Sequence, residues 1–283
     1  MTQIQTCDVS AAREQSSLRA RFDPVSFSLR ALVWLAALTV VVVFMWLVGY
    51  IVIKGLPYLS PRLFEWEYST ENVSMLPAIV ITVLMVVLAL LFAAPVGMGA
   101  AIYLVEYARK GSRLVSLVRL TTESLAGIPS IVYGLFGFLL FVVACGMGFS
   151  ILGGALTLAV MVLPLIMRTT EEALKSVPDS WREGSFALGA GRLRTIFRVV
   201  LPAAVPGILS GVILSIGRIV GESAALLYTA GTVAAMPESL LSSGRTLSVH
   251  MYALLSEGLY VNEAHVTALV LLIVVLLINF ASS

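Results

Sequence analysis

The chain has 283 residues, of which 59% are hydrophobic and only 12% charged, with a net charge of +2. Soluble domains carry about 25% charged residues, so the composition excludes a soluble enzyme and points to a polytopic membrane protein. The net charge itself says little, and where the charges lie says more; no nucleic acid is expected as a partner.

Residues 1–30 are polar and carry Arg13, Arg19, Arg21 and Arg30, as a cytoplasmic tail would. Ala31 to Ile53 is a clean first span, because about 20 apolar residues cross the hydrocarbon core. The loop Lys54 to Ser74 holds Pro57, Pro61 and three glutamates, with Tyr58, Trp66 and Tyr68 suited to the membrane interface. Met75 to Val105 is a second, long apolar run that Pro95, Gly97 and Gly99 can kink. A basic loop, Glu106 to Arg119, leads to a third span over Leu120 to Ala144. Ile151 to Met167 is the fourth span, read as broken at Pro164. A polar, basic island covers Arg168 to Arg198. Val199 to Leu227 is the fifth span, and Ala264 to Phe280 the sixth, after a mixed loop.

Lysine and arginine fix the expected orientation. The tail, the 106–119 loop and the 168–198 loop hold 4, 4 and 6 of them, whereas the loops 54–74 and 228–263 hold 2 and 1. Positive residues stay inside, so both termini and the polar island are expected in the cytoplasm. The expected organisation is a tail (1–30), a first helix with its outer loop (31–74), and a core of five further spans (75–283). The two cysteines, Cys7 and Cys145, fall on opposite sides in this topology and have no metal-ligand company. His250 and His265 stand alone, and no metal site is expected. No Gly-x-x-x-x-Gly-Lys motif occurs, so the chain has no phosphate-binding loop of its own.

Within the island, Ser180 and Glu183 have capping-box spacing, and Gly189 is a natural helix stop. A short helix lying flat on the cytoplasmic face follows. Glu183-Gly184-Ser185, three residues, Gly189, nine residues, Val199, one residue and Leu201-Pro202 resemble the Glu-Ala-Ala loop of ABC-importer membrane subunits. An ordinary amphipathic connector is the alternative. The resemblance implies an all-α, six-helix, type I ABC-importer permease fold. It also implies that the loop 176–201, through Glu183, Gly184, Ala187, Leu188 and Gly189, is the coupling helix that docks on a cytoplasmic ATPase.

The fifth span contains Arg218 and Glu222, four residues apart and so expected on one helix face. A charge inside a membrane helix is costly, and as a rule it faces protein or a water-filled path. The pair is therefore a substrate-path candidate, with a structural ion pair as the alternative. Arg168, placed at the end of the fourth span, is a further path candidate. Gly207, Gly211 and Ser215 form a small-residue ridge against which another helix can pack.

A guanidinium fork suits phosphate, sulfate or a carboxylate equally. Ile128-Pro129-Ser130 to Gly137, Ala187-Leu188-Gly189-Ala190 and Gly217-Arg218 to Gly231 are similar to phosphate-importer permeases of the PstA type, over roughly residues 75–280. That resemblance implies a phosphate-importing permease subunit in the bacterial inner membrane. It implies a PstC-type partner permease, a pair of PstB-type ATPases carrying ATP and Mg, and a periplasmic PstS-type binding protein, with no cofactor on this chain. The alternatives are a permease for sulfate or molybdate on the same architecture, or a secondary transporter, for which the chain lacks a convincing inverted repeat.

Overall fold

The structure is a computed structural model that describes residues 24–109 and 111–282, so the tail up to Asp23, with Cys7, lies outside the described residues. The chain divides into two compact units, residues 1–50 and 51–283. Among the described residues of the first unit there is one element, the beginning of helix α1 (Pro24–Gly55). Its apolar side chains are exposed all round, Trp34 and Trp46 among them. A helix this apolar with no buried stripe is suited to lipid.

The second unit is built on two long helices, α2 (Leu76–Ile102) and α5 (Ile151–Ser176). Every fourth residue of α2 from Ile81 to Ala101 is buried: Ile81, Met85, Ala89, Ala93, Gly97 and Ala101. This i, i+4 row shrinks from isoleucine to alanine and glycine, so the backbones can close together. A Cβ at Gly97 would lie 3.0 Å from Ile166 Cγ2. Against the row pack Ile151, Ala155, Leu158, Val162 and Ile166 of α5, which form the core with Ile219, Leu226 and Val249. Helix α2 runs on through Pro95 and ends in a π-helical turn, Tyr103–Tyr107.

Four boundaries differ from the expectation. The third span is not straight: α3 (Arg113–Ala126) and α4 (Ser130–Gly137, continued as a π-helical segment to Ala144) meet at an angle of 103° across Gly127-Ile128-Pro129. Pro129 disfavours helix at the residue before it, which breaks the run. Among the described residues, five helices are long and apolar enough to cross a membrane, or six with this bent pair as one. The fourth span is not broken at Pro164; α5 continues unbroken to Ser176, nine residues past the expected end. The fifth span starts earlier and stops earlier. A short α7 (Arg192–Thr195) and a π-helical turn lead into α8 (Leu201–Val220), which ends two residues before Glu222. A separate turn of helix, α9 (Ala224–Leu227), follows. The fourth difference concerns α6 (Asp179–Ala187): Pro178 is its N-cap, and no side chain caps it. Ser180 sits inside the first turn, so the capping box is not formed.

The remaining α-helices among the described residues are α10 (Leu247–Glu257) and α11 (Val261–Ser282). The small-residue ridge of α8 packs against α5 within this chain. A Cβ at Gly207 would lie 2.7 Å from Ala173 Cβ, and one at Gly211 would lie 2.1 Å from Thr169 Oγ1. Ser215, buried next on the ridge, bonds back to the Gly211 carbonyl at 2.9 Å.

Candidate functional site

The ridge contacts fix where Arg218 stands along α5. Gly207 meets Ala173 and Gly211 meets Thr169, and beyond the helix end Gly154 meets Leu226. The numbers rise on one strand of the pairing as they fall on the other, so α5 and α8 run antiparallel. Arg218 is therefore level with Val162, near the middle of α5. At 1.5 Å per residue it stands about 20 Å along the axis from Lys175 at the α6 end.

Arg218 and Arg168 line one cavity of about 380 Å³, together with Arg119, Glu123, Glu171, Glu172 and Lys175. This size falls within the roughly 300–1,000 Å³ of small-molecule sites. The structure thus joins two of the three expected path residues. Arg168 is not at a helix end; it lies mid-helix on α5 and pairs with Glu172 at 3.1 Å. Arg119 and Lys175 converge on buried Glu171 at 2.5 and 2.7 Å. Arg218 is exposed and, among the described residues, has no ion-pair partner within 4.0 Å. Four cations and three carboxylates leave the cavity one positive charge in excess.

Glu222 does not join it. The helix stops at Val220, so the i, i+4 face expected for Arg218 and Glu222 does not exist. Glu222 is buried and turned to the start of α9, where Oε1 accepts the Ala225 N–H at 3.1 Å. Its own carbonyl accepts the Ser248 hydroxyl at 2.5 Å. Here Glu222 acts as a helix cap and ties α9 to α10.

The second candidate region is α6. Gly189 has φ +83°, the left-handed conformation glycine reaches without strain. The Ala190 N–H reaches the Ser185 carbonyl at 3.1 Å and the Gly189 N–H reaches Phe186 at 2.9 Å, which closes a Schellman end. Glu183, Gly184, Ala187, Leu188 and Gly189 are all exposed, Leu188 by 90%. Trp181, Phe186 and Leu193 are exposed beside them. Ser185 meets Thr195 at 2.8 Å, which clips α6 to α7.

Sequence reasoning missed Arg182. Its Nε and Nη2 donate to Glu106 Oε1 at 3.1 and 2.8 Å, and its Nη1 and Nη2 donate to the carbonyls of Val177 and Leu174 at 2.8 and 2.9 Å. Nη1 also reaches Asp179 at 3.2 Å. Arg182 thus bolts α6 to the C-terminal ends of both α2 and α5. Glu106 is 76 residues away, a separation no local spacing reveals. Sequence reasoning also set His250 apart. It is buried beside Tyr68, ring centroids 6.2 Å apart and edge-on, and Arg245 stacks over the same Tyr68 ring at 4.9 Å.

The family described as "Binding-protein-dependent transport system inner membrane component" matches residues 93–283. The "Probable ABC transporter permease protein YqgI" of Bacillus subtilis is 33% identical over 88% of this chain and 90% of its own length. The "Phosphate transport system permease protein PstA" of Mycobacterium leprae is 40% identical over 66% of this chain, a stretch that spans 62% of that protein. The protein of the same name from Yersinia pestis is 41% identical over 65% of this chain and 63% of its own. In fold, the chain is similar to a bacterial alginate ABC transporter solved in complex with an alginate pentasaccharide-bound periplasmic protein. The TM-score is 0.67 at 17% identity, over 92% of this chain and 93% of that one. It is similar also to the MetNI methionine ABC transporter in an inward-facing conformation, with a TM-score of 0.55 at 22% identity, over 74% and 90% of the two chains. Membership of this family makes the chain a transport subunit and not itself an enzyme, with a separate ATPase and a binding protein as its partners. The chain belongs to the family of inner membrane components of binding-protein-dependent transport systems.

Proposed function

We propose that the chain is one of two non-identical permease subunits of an ATP-driven importer of inorganic phosphate. The observation that carries this reading is Arg218: a guanidinium without an acid partner among the described residues, at mid-depth of the helix pair and lining a cavity with excess positive charge. Its planar fork offers paired donors to two oxygens of a tetrahedral anion and stays charged at any working pH. The PstA proteins at about 40% identity support phosphate over other oxyanions.

In this reading phosphate arrives from a PstS-type binding protein and passes between this chain and a PstC-type permease. Two PstB-type ATPases hold ATP and Mg; this chain binds neither. The exposed face of Glu183, Gly184, Ala187, Leu188 and Gly189 sits on the ATPase pair. Closure of that pair moves α6, and Arg182 passes the motion to α2 and α5. Those two helices carry the core, so the path switches sides. In this reading the α6 end faces the cytoplasm, which the distribution of lysine and arginine supports.

The test is uptake of labelled phosphate by vesicles holding the assembled complex. Arg218→Gln is expected to abolish uptake with assembly intact. Arg218→Lys is expected to do nearly as badly if the fork is what binds. Wild-type uptake by Arg218→Gln would make the arginine a structural group. Wild-type vesicles that take up sulfate or molybdate but not phosphate would move the reading to another oxyanion.

A further inference from the structure

A buried charge is almost always paired or hydrogen-bonded, because an uncompensated one is strongly disfavoured. Arg245 departs from that rule. It is 4% exposed, and its Nε and Nη2 have no hydrogen-bond partner among the described residues. His250, 1% exposed, has no partner on Nδ1 or Nε2. Four buried polar atoms are thus left open around one aromatic ring, that of half-buried Tyr68. The stacking of Arg245 on Tyr68 compensates the charge in part but uses none of its N–H groups.

The place of this cluster is fixed by its neighbours. Gly244, next to Arg245, packs against Ile151, the first residue of α5, and the Ile151 N–H reaches the Ser242 carbonyl at 3.0 Å. Arg245 is therefore level with the end of α5 remote from α6, about 16 Å along the axis beyond Arg218. The two are joined through the chain's polar seam: Thr246 meets Ser248 at 3.1 Å, and Ser248 holds the Glu222 carbonyl. Glu222 directly follows the helix that carries Arg218.

We propose that Arg245 and His250 form a second binding site for a small oxyanion, outward of Arg218, which receives the ion when the path opens on the side remote from α6. This rests on the reading that the chain passes phosphate. Nε–H and Nη2–H are the edge of the guanidinium that meets two oxygens at once. A neutral imidazole adds one N–H donor. The enclosure favours a free ion over a partner's carboxylate side chain, because all four atoms are covered by this chain's own residues. In this proposal, opening of the Glu222–Ser248 junction exposes them to the path.

The assembled importer, purified in detergent without added lipid, provides the test. Hydrogen exchange over residues 244–250 is followed with inorganic phosphate, with chloride at the same concentration, and with neither. Each is measured nucleotide-free and with the ATPases held closed by a non-hydrolysable ATP analogue. Phosphate is expected to slow exchange in this segment in the closed state, and chloride is not. Arg245→Gln is expected to lose that protection and to raise the KM for uptake by about tenfold, the loss of one charge-assisted bond. Arg245→Lys should fall between. No protection of the wild type by phosphate in either state overturns the proposal, as does an unchanged KM in Arg245→Gln. Protection that appears only on adding phosphatidylglycerol assigns the site to a lipid headgroup and also overturns it. If Arg245→Gln does not assemble, the wild-type exchange result decides. If the wild type carries sulfate and not phosphate, the phosphate reading fails by itself, and the same exchange measurement with sulfate judges the site.

Discussion

Arg182 and Arg245 are both enclosed arginines, and they are built in opposite ways. Arg182 has a carboxylate, two carbonyls and Asp179 within hydrogen-bond distance. Arg245 has a tyrosine face and two nitrogens, Nε and Nη2, with no hydrogen-bond partner among the described residues. A satisfied guanidinium locks the elements around it, so Arg182 makes α6 and the ends of α2 and α5 move as one. An unsatisfied one has only its stacking on Tyr68 and leaves its donors for something else. The difference separates a joint from a site, although both residues read simply as arginines in polar loops.

The sharpest way to break this contrast is to remove each side chain. Arg182→Ala leaves the buried Glu106 carboxylate unpaired and should cost about 3–5 kcal/mol, read as a drop in thermal stability with loss of ATPase co-purification. Arg245→Met should go the other way, neutral or stabilising, since an apolar side chain of similar length removes unpaired donors from the interior. Equal destabilisation by both would erase the distinction.

Gly211→Leu is expected to cost about 1–3 kcal/mol by overpacking, because any Cβ there collides with Thr169. Normal stability in detergent would mean that α5 and α8 can slide apart, and the depths assigned to Arg218 and Arg245 would lose their ruler.

His250 sharpens the comparison through pH. It lies in the eleven-residue α10, outside the spans, and burial, followed by the Arg245 charge, pushes its pKa from 6.5 down to about 3. The groups facing it are Arg245 and Tyr68. The unfolded chain therefore binds a proton below pH 6.5 that the folded chain refuses. Stability contributed by the neutral ring is complete above pH 6.5 and falls as pH drops from there towards 3, at up to about 1.4 kcal/mol per pH unit. Thermal unfolding of wild type and His250→Gln between pH 7.5 and 5 should show a shallower fall for the variant. Parallel curves would mean that His250 is not held neutral.

The smallest effect is expected at Arg168. Its pair with Glu172 is solvent-exposed on both sides, so Arg168→Gln should change stability by less than about 1 kcal/mol. Any large effect on uptake would then report contact with the ion and not folding.

Local chemistry was the legible part. Gly189 as a helix stop and the Gly207–Gly211–Ser215 ridge follow from what glycine permits, and the structure has both. Arg218 as a charge set in an apolar helix needed only the hydropathy pattern. What the sequence hid depends on distant partners. The end of α8 at Val220 sits beside Ser248, which holds the Glu222 carbonyl from 26 residues on, and no spacing rule separates that stop from a helix continuing to Leu227. The bend at Gly127-Ile128-Pro129 had its breaker in plain view, but apolar residues on both sides concealed it. Glu106 and Arg182 meet only because α2 and α5 pack along their whole length.

The early stop of α8 also changes what holds Arg218. The arginine occupies the last turn of a helix that ends at mid-depth, so the negative end of the helix dipole lies beside it. That partial charge comes from fixed backbone carbonyls and cannot swing away or be protonated. An anion reaching Arg218 along the proposed path displaces no carboxylate. It also feels the same carbonyl ends pushing it off, so one piece of backbone acts on both capture and release.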